Sequence, residues 1–410
     1  MTIIPRHPLI QVAALLTLLA SDAFAQHNAA PQTAQDMLAT VTARAPDAFY
    51  DPPAQLPAKP GVLLRSEPLK DVTLPTGVRG WRILYTTSAD DRTPLTAVAT
   101  VFAPIDVPAG PRPVIMWEHA TTGLVQTCMP SLFSAPTLGI PAFERIVKAG
   151  WVIVATDYGF AEKDGPHPYF IGEGEARSGL DSVRAAREMS GLNLDARTAV
   201  WGHSQGGHAA LWTGIVAPRY APDVQIVGVA AIAPPANLSN LFAASARLDK
   251  RLGPLLALAY SRFYADVKFE QAVRPEALDA AREVANLCSF LPPEHPKRIA
   301  QLMAAFEGRT LSASAALAAR LAENAADRPI AAPVLIAQGL TDVIVLPAVT
   351  EAFVSERCAG GQRLEYWTFA GIDHASIVRQ GGALDEPLVA WTTARFANEP
   401  QAGGCARRAF

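Results

Sequence analysis

The sequence predicts an α/β protein: a mostly parallel sheet flanked by helices on both sides, with one helical stretch inserted between two strands. Three observations carry this. Continuous apolar runs alternate with segments of helical periodicity, the pattern of strands buried on both faces. From about residue 235 to residue 329 the alternation stops, and an Ala/Leu-rich stretch without a strand-like run takes its place before Ala332-Pro333 restores the rhythm. Finally, Gly202-His203-Ser204-Gln205-Gly206 stands between an apolar run and a helical one, where a tight strand-to-helix turn would fall.

The 410 residues suffice for one large α/β domain carrying an insertion, and half of them are hydrophobic against 18% charged, which suits a sizeable core. A net charge of -3 without a Lys/Arg cluster gives no electrostatic ground for nucleic acid or an anionic membrane as partner.

At the N-terminus, Arg6 and His7 precede an apolar run over residues 9–20 and then Ser21-Asp22-Ala23-Phe24-Ala25. The small-x-small pair Ala23 and Ala25 predicts a signal peptide over residues 1–25 and a mature start at Gln26. The run is too short to span a bilayer comfortably, so a stable membrane anchor is not expected, and the mature chain should be secreted or periplasmic. Export gives the four cysteines meaning: Cys128, Cys288, Cys358 and Cys405 are an even set without zinc spacing, and an oxidising compartment pairs them. Three pairings are open. Residues 26–60, rich in Ala, Pro and polar side chains, read as a surface segment.

Strands are predicted at residues 82–86, 96–102 and 113–117, then a helix at 142–149 and a strand at 151–156. A helix over 173–189 carries Ala176, Leu180, Val183 and Arg187 at helical spacing. The strand 198–201, the turn and a helix over 208–216 follow, then the strand 224–232. Residues 236–330 form the helical cap, with breaks at Gly253-Pro254, Pro275, Pro292-Pro293 and Pro296. Strands at 334–337 and 364–369 complete a core made of residues 61–235 and 331–410.

The turn at Ser204 has the pattern of the nucleophile elbow of α/β-hydrolases. Gly202 and Gly206 remove side chains where strand and helix crowd, so Ser204 can sit in a strained turn with its hydroxyl presented. A serine nucleophile needs a base and the base an orienting acid, in the chain order Ser, acid, His. His374 follows the last apolar strand and is the expected base; His295 lies in a proline-rich loop of the cap. Asp342 follows the strand at 334–337 and is the expected acid, ahead of Asp373, which neighbours His374 and should point away from it, and of Asp157, which precedes the serine. The oxyanion hole should use the N–H groups of Gln205 and of Thr121 in the loop after the strand at 113–117. His119 should hold that loop, while His203 and His208 are too close in sequence to turn onto Ser204.

His119-Ala120-Thr121-Thr122-Gly123 with Cys128-Met129-Pro130-Ser131, His167-Pro168-Tyr169, Gly202-His203-Ser204-Gln205-Gly206-Gly207 and Gly371-Ile372-Asp373-His374 together resemble the secretory lipase family. The resemblance runs from about residue 60 to the C-terminus and departs at Ala120, where the usual loop carries glycine. It implies an α/β-hydrolase with a helical cap, ester hydrolysis, no cofactor or metal, the triad Ser204, Asp342 and His374, and the disulfides Cys128–Cys288 and Cys358–Cys405. The expected substrates are carboxylic esters of short to medium acyl chain, including lipid or cell-wall esters, acted on by a monomer. The apolar cluster Leu252, Leu255, Leu256, Leu258, Tyr260 and Phe263 is expected to supply the acyl pocket. A serine peptidase or amidase would use the same triad, but no feature marks a peptide-terminus site; a secreted binding protein on a dead hydrolase fold is opposed by the intact Ser, His and Asp.

Overall fold

The computed structural model describes residues 41–89, 94–106, 110–159, 166–289, 294–304 and 309–410. The signal peptide expected at 1–25, the expected start at Gln26 and the first part of the 26–60 segment lie outside the described residues.

Among the described residues one sheet has ten strands: β1 (Leu63–Pro68), β2 (Val78–Ser88), β3 (Pro94–Pro104), β4 (Arg112–Glu118), β5 (Val152–Thr156), β6 (Leu194–His203), β7 (Gln225–Ile232), β8 (Val334–Gly339), β9 (Leu364–Phe369) and β10 (Cys405–Ala409). Their spatial order is β1-β2-β3-β5-β4-β6-β7-β8-β9-β10. The pairs from β1 to β5 across β2 and β3 are antiparallel, and every pair from β5 to β10 is parallel.

The continuous apolar runs are explained by cover on both faces. Along β4, Val114 and Met116 pack with Ala176, Leu180 and Val183 of the helix Gly172–Arg187 and with the helix Gln205–Tyr220. Ile115 and Trp117 point the other way, into a cluster with Phe143 and Ile146 of the helix Phe143–Lys148 and Leu388 and Trp391 of the helix Asp385–Phe396. Each fully buried side chain of this kind contributes roughly 1.5–3 kcal/mol. Residues 41–60 lie over one end of the sheet, where Phe49 and Tyr50 pack on Leu84 and Met129 and Asp47 pairs with Arg82 at 2.7 Å.

Between β7 and β8 lie the helices Leu238–Ala244, Ala246–Phe263, Phe269–Ala272, Leu278–Ala285, Glu294–Ala304 and Ala315–Glu323, with their own apolar cluster. Two expected breaks are not breaks. The helix Ala246–Phe263 runs through Gly253-Pro254, because burial of Leu252, Leu255 and Leu256 outweighs one lost backbone hydrogen bond. Pro296 falls in the first turn of Glu294–Ala304, where its missing N–H would have had no partner within the helix. Leu255, Leu256 and Tyr260 are buried in this layer's interior, and Tyr260 donates to the Phe170 carbonyl at 2.9 Å, so these side chains serve packing.

Cys128 is bonded to Cys288 and Cys358 to Cys405. The first bond joins the loop after β4 to the helical layer, beside a backbone bond from Ser289 N–H to the Thr122 carbonyl at 2.8 Å. The second ties β10 to the end of the helix Pro347–Ala359.

Candidate active site

Ser204 turns the chain from β6 into the helix Gln205–Tyr220, with φ 55° and ψ -118°. Such a backbone costs a non-glycine residue on the order of 1–3 kcal/mol. Two glycines permit the turn: a Cβ on Gly202 would stand 1.9 Å from the Gly206 carbonyl oxygen, and one on Gly206 would stand 1.8 Å from that of Glu118. The same closeness brings the end of β4, and the loop His119-Ala120-Thr121 after it, against the helix N-terminus.

His374, on the loop after β9, reaches Ser204 Oγ with Nε2 at 2.9 Å and Asp342 Oδ2 with Nδ1 at 2.7 Å. Asp342 is buried and held on every side: Oδ1 accepts from the Ile344 and Val345 N–H groups at 2.8 and 2.9 Å, and Oδ2 from Gln338 Nε2 at 3.1 Å. The acid and base loops are stitched together by Thr341 N–H donating to the Ile372 carbonyl at 3.0 Å. Gly339 allows this, since a Cβ there would meet that oxygen at 2.4 Å.

The other candidates separate cleanly. Asp373 caps its own turn, Oδ1 accepting from the Ala375 and Ser376 N–H groups at 3.0 and 2.8 Å; burial pushes its carboxyl up, but these donors outweigh it and hold the group below its ordinary range. Asp157 accepts from Ser131 N–H at 3.1 Å, away from the serine. His119 donates from Nδ1 to the Ala120 carbonyl at 2.6 Å, and burial pushes its imidazole down to about 4, so it is neutral. The Thr121 hydroxyl pairs with Tyr169 Oη at 3.1 Å. His295 belongs to the first turn of Glu294–Ala304.

Sequence reasoning left three neighbours without a role. His203 donates from Nε2 to the carbonyl of His374 at 2.8 Å, with the two rings 4.8 Å apart. Burial, then the charge His374 can carry, push the His203 imidazole well down and keep it neutral. Glu175, fully buried, joins Gln205 Nε2 at 2.8 Å and His208 Nδ1 at 2.9 Å. Asn324, at the end of the last helix of the insertion, accepts on its carbonyl from His208 Nε2 at 2.8 Å and Trp212 Nε1 at 3.2 Å. The available signal was glycine: Gly172 and Gly174 open the helix that carries Glu175, and a Cβ on Gly172 would overlap the Trp212 ring at 2.1 Å. Glu118, at the end of β4, has its carboxyl pushed well above the ordinary carboxylate range by burial and then by the Glu175 charge.

The sheet order, the elbow and the helices between β7 and β8 define an α/β-hydrolase. The family it resembles is the secretory lipase family, whose model matches residues 139–285. A probable inactive lipase of Mycobacterium tuberculosis is 25% identical over 86% of this chain and 82% of its own. Lipases of Candida albicans are 30–32% identical over 45–50% of the chain, which spans only 45–47% of their length. Among solved structures, Candida antarctica lipase A in its closed state shares the fold with a TM-score of 0.66 at 18% identity, covering 87% of each chain. The rice cell wall degrading esterase LipA from Xanthomonas oryzae does so with a TM-score of 0.60 at 18% identity, over 84% of this chain and 98% of that one.

Proposed function

We propose that this chain is an exported serine ester hydrolase, with Ser204 as nucleophile, His374 as base and Asp342 as orienting acid. The observation that carries the reading is the unbroken hydrogen-bonded chain Ser204–His374–Asp342, at 2.9 and 2.7 Å. His374 Nε2 takes the hydroxyl proton as Ser204 Oγ attacks the ester carbonyl, and Asp342 holds the ring tautomer and stabilises the imidazolium. The oxyanion is met by the N–H groups of Gln205 and Thr121 and by the helix N-terminus behind Ser204. His374 then returns the proton to the leaving alcohol, and water, activated by the same ring, cleaves the acyl-enzyme. Substrates are carboxylic esters of short to medium acyl chain, including lipid or cell-wall esters, a reading supported by structural neighbours named a lipase and a rice cell wall degrading esterase. One relative is named a probable inactive lipase; here all three groups are present and in bonding contact, which supports an active enzyme.

The test is hydrolysis of a p-nitrophenyl ester series beside an aminoacyl p-nitroanilide. The parent should cleave the esters and spare the amide. Ser204→Ala should keep its fold and fall to the residue left by oxyanion binding, roughly 10³- to 10⁴-fold above water. Asp342→Asn should lose on the order of 10⁴ in kcat and Asp373→Asn less than tenfold. Near-parental turnover by Ser204→Ala rejects the mechanism, and the reverse order of the two Asp variants moves the acid to Asp373.

A further inference from the structure

The groups behind Ser204 that the reaction does not consume converge on one carboxylate. Glu175 Oε1 accepts from the Gln205 side-chain amide at 2.8 Å and from the Phe170 N–H at 3.0 Å. Its Oε2 meets His208 Nδ1 at 2.9 Å. Because the Asn324 carbonyl can only accept, His208 Nε2 carries a proton and donates to it. A carboxylate with no exposure is expensive to bury and is kept only where its bonds are complete, as they are here.

The partners of Glu175 lie on the two sides of the oxyanion hole. Gln205 supplies one N–H, and its side chain is clamped directly. On the other side, Phe170 stands in the left-handed region at φ 55°, a conformation that needs outside support. Glu175 holds its N–H, and Tyr260 holds its carbonyl at 2.9 Å. The residue before it, Tyr169, bonds the Thr121 side chain at 3.1 Å, in the loop assigned the second N–H. A single buried group is therefore bonded to the Gln205 side chain directly and to the Thr121 side chain through the Tyr169-Phe170 turn.

We infer that Glu175 is a positioning residue for the oxyanion hole, acting through Gln205 and through the Tyr169-Phe170 turn to Thr121. The inference rests on the serine-esterase reading above. A donor that is displaced rather than deleted weakens binding of the transition state and leaves binding of the ester in place, so the loss falls on kcat and not on KM.

The experiment compares Gln205→Ala, Glu175→Ala and Glu175→Gln in the full mature chain, by steady-state kinetics on p-nitrophenyl butyrate and by inhibition with a trifluoromethyl ketone. The ketone forms a tetrahedral adduct with the serine and so reads the oxyanion hole directly. Gln205→Ala is expected to lose about tenfold in kcat, part of the 10²–10³ that deleting a donor costs, with KM within about twofold. Ketone affinity should fall by the same factor. Glu175→Gln keeps an acceptor for Gln205 and Phe170 and a polar partner of the same size beside His208 Nδ1, so it should stay within about threefold of the parent in both measures. A folded Gln205→Ala with parental kcat and ketone affinity overturns the inference, as does a Glu175→Gln variant as poor as Glu175→Ala. Should Glu175→Ala fail to fold, Gln205→Ala decides alone. An active Ser204→Ala would remove the esterase reading itself; an inactive Ser204→Ala beside an unimpaired Gln205→Ala removes only the role of Glu175.

Discussion

Asp157 stands just beyond β5 with one carboxyl oxygen bonded to the Ser131 N–H and the other buried without a partner. Burial raises its pKa to about 7, against about 3.9 for an aspartate in an unfolded chain. Between those values the folded state holds a proton that the unfolded state has released. Stability therefore falls as pH rises through that window, by on the order of 1.4 kcal/mol per unit from this group. Asp157→Asn keeps the acceptor for Ser131 and has no proton to lose. Melting temperatures at pH 4.5, 6 and 8 should show the variant near the parent at the lowest pH and gaining on it steadily; a constant gap would mean that Asp157 is ionised throughout. At this scale the sequence was most legible where chemistry imposes an order. Ser204, Asp342 and His374 follow from motif and strand position, and in space they form one bonded chain. The role of His203 was hidden because its partner is a backbone carbonyl, which leaves no mark on residue type.

Strands buried on both faces were legible because their apolar runs are unbroken; the two edge strands were not. β1 carries Arg65, Ser66 and Glu67 on a half-exposed edge, and β10 reads Cys-Ala-Arg-Arg-Ala, so neither presents an apolar run. The elbow was legible because its glycines have steric work to do. That work can be measured. Gly206→Ala pushes a methyl group into the Glu118 carbonyl and should lose at least about 1–3 kcal/mol. Gly403→Ala, where a Cβ meets nothing within 4 Å, should stay within about 0.5 kcal/mol of the parent. Denaturant midpoints for the two variants check the contrast, and equal midpoints would mean that β4 can move away from the elbow helix.

At the scale of the whole molecule, the sites where the chain is tied together lie far apart in sequence, and composition does not reveal them. Glu175 and Gln205 are 30 residues apart, His208 and Asn324 116. The Cys128–Cys288 bond spans 160 residues and the Cys358–Cys405 bond 47, worth about 5 and about 4 kcal/mol in the chain-entropy account. Replacing either pair by alanine should lower the urea midpoint. Only the first pair should also lower kcat on esters, because it pins the loop that carries Thr121; equal activity in both double variants would free that loop from the disulfide. The helices inserted between β7 and β8 are closed at their base, where the Ala326 N–H donates to the Ala236 carbonyl at 2.9 Å. A segment whose two ends meet can be lengthened, shortened or exchanged without shifting a strand, so this is the natural place for evolution, or a protein engineer, to graft a different helical layer. The graft has to keep a cysteine to reach Cys128, an N–H to reach Thr122, a hydroxyl to reach the Phe170 carbonyl and a carbonyl to receive His208.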